Sequence, residues 1–196
     1  MRSVKCYRGK SALEIGVGSG IVLKALRENF KIVAGTDIDF ASLRYCKENL
    51  SKEIMVACCD AASAFHYRFD LIVSNPPYFI NSLLPPSAHR QRTRHTGQLT
   101  FQELITHSIR LLNPAGTLSV ILPSQEGNNF KDLALKNELH VKRQLAFYSR
   151  KEKPQERWLF EFGFEPSQTK SEELVLYETG NVKSDNYVNL TKDFYL

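Results

Sequence analysis

No stretch of this sequence holds the ~20 consecutive apolar residues needed to cross a bilayer. The first ten residues, MRSVKCYRGK, are basic but lack the apolar core of a secretory signal. A membrane protein or an exported one is therefore not expected, and the cytoplasm is. Cysteine is scarce. There are four, Cys6, Cys46, Cys58 and Cys59. Their spacing fits no zinc motif, and the adjacent pair Cys58–Cys59 would be strained as a disulfide, so buried free thiols and no metal are expected. That agrees with a reducing compartment. Internal repeats, low-complexity runs and linker-like stretches are also missing, which points to a single domain over 1–196. Acid is in short supply as well: 21 Asp and Glu stand against 26 Lys and Arg, for a net charge of +5. This balance permits a polyanionic partner but equally describes a mildly basic surface with no ligand. Nothing in the composition fixes an oligomeric state, and a monomer is expected.

What is present is an alternation. SALEIG (11–16) reads as a short apolar strand, IVLKALREN (21–29) as a helix, KIVAGTDID (31–39) as a strand and FASLRYCKENL (40–50) as a helix. IMVACCD (54–60) and FDLIVSN (69–75) read as further strands. After a polar and basic loop at 79–98, LTFQELITHSIRLL (99–112) is an amphipathic helix. Thr100 is its N-cap and Glu103 completes a capping box. NPAG (113–116) is expected to turn the chain into a strand, TLSVILP (117–123). A helix over 129–138 and a strand pair at 140–150 and 157–165 follow, and EELVLYE (172–178) is a candidate further strand. The alternation predicts an α/β, doubly wound Rossmann-like fold with a mostly parallel sheet. The strand-rich end predicts an antiparallel hairpin at one edge.

EIGVGSG places Gly16, Gly18 and Gly20 where the first strand turns into a helix. Glycines at such a turn let backbone approach a ligand at the carboxyl end of the sheet. The spacing is G-x-G-x-G, with Glu14 just before it, and fits a dinucleotide pyrophosphate less well than G-x-G-x-x-G does. Asp37 closes the second strand about 20 residues on, where an acid can accept ribose hydroxyls. Asp60 closes the third strand and could accept from an adenine amine. Taken singly, each is equally a turn aspartate. At the ends of three consecutive strands, the three features together indicate a nucleoside site.

These motifs resemble the class I S-adenosylmethionine-dependent methyltransferases: EIGVGSG is similar to their first motif, Asp37 to their ribose-binding acid and Asp60 to their adenine-contacting acid. The resemblance implies a seven-stranded sheet and S-adenosylmethionine as cofactor. Glu14, Gly16, Gly18, Gly20, Asp37, Asp60 and Asn75 are the residues expected to bind it.

SNPPYF (74–79) follows the fourth strand. Alone it is a rigid strand-ending turn with a packed aromatic, because proline cannot donate to a sheet ladder. Beside a methyl donor it does more. Methyl transfer to nitrogen depends mostly on positioning, and an exocyclic or amide NH₂ has a delocalised lone pair. Two acceptors gripping its hydrogens can turn that lone pair toward the methyl group. The side-chain oxygen of Asn75 and the carbonyl of Pro76 can be those acceptors. Pro76 and Pro77 fix the loop in advance, Tyr78 offers a stacking face, and Phe79 can line the pocket. The expected catalytic residues are Asn75, Pro76 and Tyr78. By resemblance the motif marks enzymes that methylate adenine N6 or a glutamine amide.

HRQRTRHT (89–96) is dense in cations and suits phosphates, unless it is simply a solvated loop. Arg90, Arg92, Arg94 and His95 here, with Lys151 and Lys153 further on and Pro77 and Phe79 in the pocket, are the expected substrate contacts. From 69 onward FDLIVSNPPYF, RHTGQLTFQELI, RLLNPAGTLSVILP and LTKDFYL closely resemble the bacterial tRNA1(Val) adenine-37 N6-methyltransferases. That implies tRNA, through its anticodon loop, as partner. Members of that family carry a further stretch before the first strand; about ten residues precede it here. Residues 1–68 look more like release-factor glutamine methyltransferases, so the two segments are expected to have different nearest relatives, as in a composite chain. A glutamine N5-methyltransferase and a non-catalytic RNA-binding protein are the alternatives, and a dinucleotide oxidoreductase is disfavoured.

Overall fold

The computed structural model describes residues 10–49, 54–58, 65–76 and 99–192. In chain order the elements are β1 (Ser11–Ile15), α1 (Ile21–Arg27), β2 (Ile32–Asp37), α2 (Phe40–Asn49), β3 (Met55–Cys58) and β4 (Phe69–Ser74). They continue with α3 (Phe101–Leu111), β5 (Leu112–Pro123), α4 (Ser124–Lys136), β6 (His140–Arg150), β7 (Arg157–Gly163), β8 (Lys170–Tyr177) and α5 (Asp185–Thr191). One sheet holds all eight strands in the order β3-β2-β1-β4-β5-β7-β6-β8. The first five run parallel. β7 lies antiparallel between β5 and β6. This is the expected Rossmann-like architecture with one addition: an eighth strand, β8, pairs parallel with β6 and moves the hairpin one place in from the edge. Among the described residues no helix is long and apolar enough to cross a membrane.

Why β1 sits at the centre follows from its composition. All five of its residues are buried, as a strand covered on both faces requires. Successive side chains leave opposite sides of the sheet. Leu13 and Ile15 join Ile72, Val120 and Phe160 against Leu104, Ile105 and Phe130 of α3 and α4. Ala12 joins Val33 and Leu71 against Leu23, Leu26 and Leu43 of α1 and α2.

The start of α3 matches its capping signature. The Thr100 hydroxyl accepts from the Glu103 N–H at 3.2 Å, and the Glu103 carboxylate accepts from the Thr100 N–H at 2.8 Å. Its end differs from expectation. Residues 113–116 do not form a turn between helix and strand; they lie inside β5, which begins directly at Leu112. The pairing with β4 jumps from Phe69↔Leu112 to Leu71↔Thr117, so the four residues are taken up as a bulge. Asn113 uses this position to donate to Asp70 Oδ1 at 3.0 Å. Asp70 also accepts from the backbone N–H and the hydroxyl of Ser11, at 2.9 and 3.1 Å. Burial works against its charge, but these hydrogen bonds and the charge of Lys10 outweigh it and hold the carboxyl below the usual range. α4 likewise starts at Ser124, five residues ahead of the expected 129. Cys46 is a buried free thiol; Cys6, Cys59 and the side chain of Cys58 lie outside the described residues.

Candidate active site

In the strand order, β1 is the switch point. The chain proceeds outward from it through β2 to β3, then returns to β4 on its other side. Ligands of open α/β sheets bind at the carboxyl ends of the strands flanking such a point. The register lines those ends up: Ile15 pairs with Thr36 on one side and Ser74 on the other, and Asp37 pairs with Cys58.

The loop after β1 is built from backbone. Gly16, Gly18 and Gly20 have φ of +80°, +47° and +76°, a region side chains disfavour. The N–H groups of Gly16 and Val17 both donate to the Thr36 carbonyl, at 2.8 and 3.2 Å. The Gly18 N–H donates to Asp37 Oδ2 at 3.0 Å, and the Cys46 thiol donates to the Gly18 carbonyl at 3.4 Å. The loop is thus tied to the tip of β2 and to α2. A side-chain carbon at Gly16 or Gly18 would meet no atom of the described residues within 4 Å.

Two acids, Asp37 and Glu14, lie at this end of the sheet in different surroundings. Asp37 accepts from Gly18 and, through Oδ1, from the Asp39 N–H at 2.9 Å. Asp39 in turn starts α2, accepting from the Ser42 hydroxyl and the N–H groups of Ala41 and Ser42, which hold its carboxyl below the usual range. Glu14 is 3% exposed, and its Oε2 has no hydrogen-bond partner among the described residues. Burial pushes its carboxyl up to about 8; a backbone hydrogen bond from Leu23 opposes the rise and the charge of Asp37 adds to it.

On the other side of β1, the buried Ser74 hydroxyl donates to the Ile15 carbonyl at 2.8 Å. The end of β4 is thereby fastened to the end of β1, and Asn75 emerges exposed beside the glycine loop, with Pro76 buried behind it. Gly16, Gly18, Gly20, Glu14, Asp37, Asn75 and Pro76 therefore converge at one end of the sheet. Lys151 and Lys153 lie at the same end, exposed in the turn between β6 and β7. They are three strands along from β4, roughly 14 Å at the usual strand spacing. Asp60, Pro77, Tyr78, Phe79, Arg90, Arg92, Arg94 and His95 lie outside the described residues.

Three participants were not anticipated from sequence. Gly35 lies in the middle of β2, and a Cβ there would come 2.4 Å from Val17 Cγ1 and 2.8 Å from Leu23 Cδ1. Its lack of a side chain lets the loop and α1 settle on the sheet; the signal was a glycine inside an apolar strand. Ser74 and Cys46 left no comparable signal, because a serine at a strand end and a cysteine on a helix have many uses.

A family model described as "Methyltransferase small domain" matches residues 2–148. The chain belongs to that family. This methyltransferase is 34% identical over 194 residues to the tRNA1(Val) (adenine(37)-N6)-methyltransferase of Bacteroides fragilis, with 94% of this chain and 82% of the relative covered. It is 31% identical to the protein of the same name from Tolumonas auensis, covering 95% and 82%. Each relative is aligned across both segments, 1–68 and 69–196. Among solved structures, a predicted O-methyltransferase from Agrobacterium tumefaciens superimposes with a TM-score of 0.69 over 93% of this chain and 88% of its own, at 15% identity. That likeness concerns the fold.

The methyltransferase depends on S-adenosylmethionine. The crevice fits such a group. It offers a backbone cradle of glycines, a carboxylate at the tip of β2 for hydroxyls, and a buried acid, one oxygen of which is unpartnered among the described residues, near a ligand that carries positive charge.

Proposed function

We propose that this methyltransferase acts on the exocyclic N6 of adenosine 37 in tRNA1(Val). The reading is carried by the relatives of that activity, aligned over more than nine-tenths of the chain. The position of Asn75 beside the glycine loop adds to it.

Gly16, Gly18, Gly20 and Asp37 hold the cofactor, Glu14 underlies it, and Asp60 contacts its adenine. When bound, S-adenosylmethionine supplies the methyl group. The chain's own task is to present the amine. The oxygens of Asn75 and Pro76 accept the two N6 hydrogens and turn the lone pair away from the ring, toward the methyl donor. Tyr78 stacks on the base and Phe79 closes the pocket with Pro77. The nitrogen becomes acidic once methylated and loses a proton to solvent, so no side-chain base is needed. An anticodon loop is already partly unstacked, which lowers the cost of flipping the base out. Arg90, Arg92, Arg94 and His95 hold phosphates, as do Lys151 and Lys153 at the turn between β6 and β7. Such a substrate places the enzyme in the cytoplasm.

The experiment is methyl transfer from labelled cofactor to total tRNA, followed by nucleoside analysis and mapping of the label. N6-methyladenosine at position 37 is expected, with salt sensitivity typical of phosphate contacts. Label in a release-factor glutamine instead, or none in tRNA, overturns the assignment.

A further inference from the structure

Glu14 is a buried acid in the middle of the sheet. Its oxygen Oε2 is shielded from solvent and has no hydrogen-bond partner among the described residues. Its neighbours in the sheet, Gly35 on β2 and Val73 on β4, carry no charge. From α1 it receives only a backbone hydrogen bond of Leu23. The ionisable groups facing it are Asp37, at the end of β2, and Cys46 on α2. Both are neutral or negative, never positive. Asp70 is at the opposite end of β4, bound to Ser11 and Asn113. Among the described residues, what favours an anion at Glu14 is the N–H of Leu23 in the first turn of α1, and burial outweighs it.

The cofactor changes that balance. It carries two cationic centres, a sulfonium and an ammonium. At Gly16, which follows Glu14 by two residues, and at Gly18 a side-chain carbon would meet no described atom within 4 Å. We propose that binding of the cationic cofactor expels the proton of Glu14, so that capture of S-adenosylmethionine by this chain releases one proton and strengthens with rising pH. The inference rests on the glycine crevice being the cofactor site. No bond forms to the cofactor; the carboxyl O–H breaks, its electron pair stays on Glu14, and the proton passes to buffer. Burial holds the free protein's carboxyl up to about 8. A cation in the same low-dielectric region favours the ionised form. Below that value affinity rises by up to about tenfold per pH unit, and above it the rise levels off.

The test is calorimetric titration of the full chain with S-adenosylmethionine in two buffers of different ionisation enthalpy. A pH near 7 keeps the cofactor's own amino group cationic. Heats that differ by about one proton per cofactor are expected. Glu14→Gln should bind with no proton released and with no pH dependence between about 6 and 7.5. S-adenosylhomocysteine lacks the sulfonium: undiminished release assigns the effect to the ammonium, and reduced release assigns it to the sulfonium. Loss of a protonated-carboxyl band from the infrared difference spectrum on cofactor addition is the independent readout in the unmutated chain. Binding with buffer-independent heat, or release that survives in Glu14→Gln, overturns the coupling while leaving the cofactor site intact. Absence of any binding heat overturns both.

Discussion

The Ser74 hydroxyl donates to the Ile15 carbonyl at 2.8 Å in the interior of the sheet. This bond adds to the parallel ladder of β1 and β4 at its last pair, Ile15↔Ser74, where one strand delivers the glycine loop and the other delivers Asn75. Ser74→Ala removes the donor and leaves a buried carbonyl with less than its full set of partners. A loss of about 1–3 kcal/mol is expected in urea unfolding. The turnover number should fall while the affinity for cofactor stays close to normal, because the loop keeps its ties to Thr36 and Asp37.

Asn75→Ala probes the chemistry directly. The side chain is exposed and the backbone is held by Pro76 and Ser74, so folding should be unaffected. Methyl transfer to tRNA should drop by about a hundredfold or more, the usual consequence of deleting one positioned hydrogen-bonding group. Calorimetric binding of cofactor should be largely retained. Full activity in this variant would refute the two-acceptor arrangement.

Gly35→Ala tests the packing beneath the loop. The added methyl would press on Val17 and Leu23 at distances that force both to move. Overpacking of this kind costs about 1–3 kcal/mol. A lower melting temperature and weaker cofactor binding are expected together, since Val17 is part of the loop.

Asp37→Ala removes the acceptor of the Gly18 and Asp39 N–H groups. The site is open to solvent, so stability should change little. Cofactor affinity should weaken by about tenfold or more, as loss of charge-assisted bonds predicts. Isothermal titration against the parent chain measures it.

Asp70 carries an acid-sensitive contribution at the far end of the sheet. Its carboxyl is more acidic folded than unfolded. Stability from this group is therefore complete above the unfolded pKa of about 3.9 and is lost as pH falls through the lower, folded value. Urea midpoints measured from pH 7 downward should decline less steeply in Asp70→Asn than in the parent. At neutral pH the variant itself is less stable, because one oxygen that accepted from Ser11 or Asn113 becomes an NH₂ donor.

Much of this was legible in the sequence because local signals agreed with the tertiary solution. The Thr100–Glu103 box starts its helix as read, and the strand–glycine–helix pattern at 11–27 needs no partner to be recognised. The misread elements were decided by neighbours. Asn113–Gly116 carries turn residues, yet a second strand alongside and a waiting Asp70 draw it into the sheet. Lys170–Tyr177, by contrast, reads as a strand at 172–178 from sequence; only its place, beside β6, was decided by a neighbour. Glu14 was visible as an acid near the glycines, but its isolation depends on what α1, α2 and the flanking strands place around it, which one-dimensional spacing does not encode.

The direct passage from α3 into β5 has an evolutionary consequence. With no connecting segment between Leu111 and Leu112, the slack there is limited to the bulge at 113–116, which Asn113 ties to Asp70. One residue inserted would rotate the helix by about 100° or invert the facing of every strand residue after it. The turn at 151–156, by contrast, is exposed over 151–154 and can lengthen there; Gln155 and Glu156 are held by Ser124. Lineages of this enzyme should therefore keep the first junction at constant length and vary the second, recording changes in substrate reach where the sheet can absorb them.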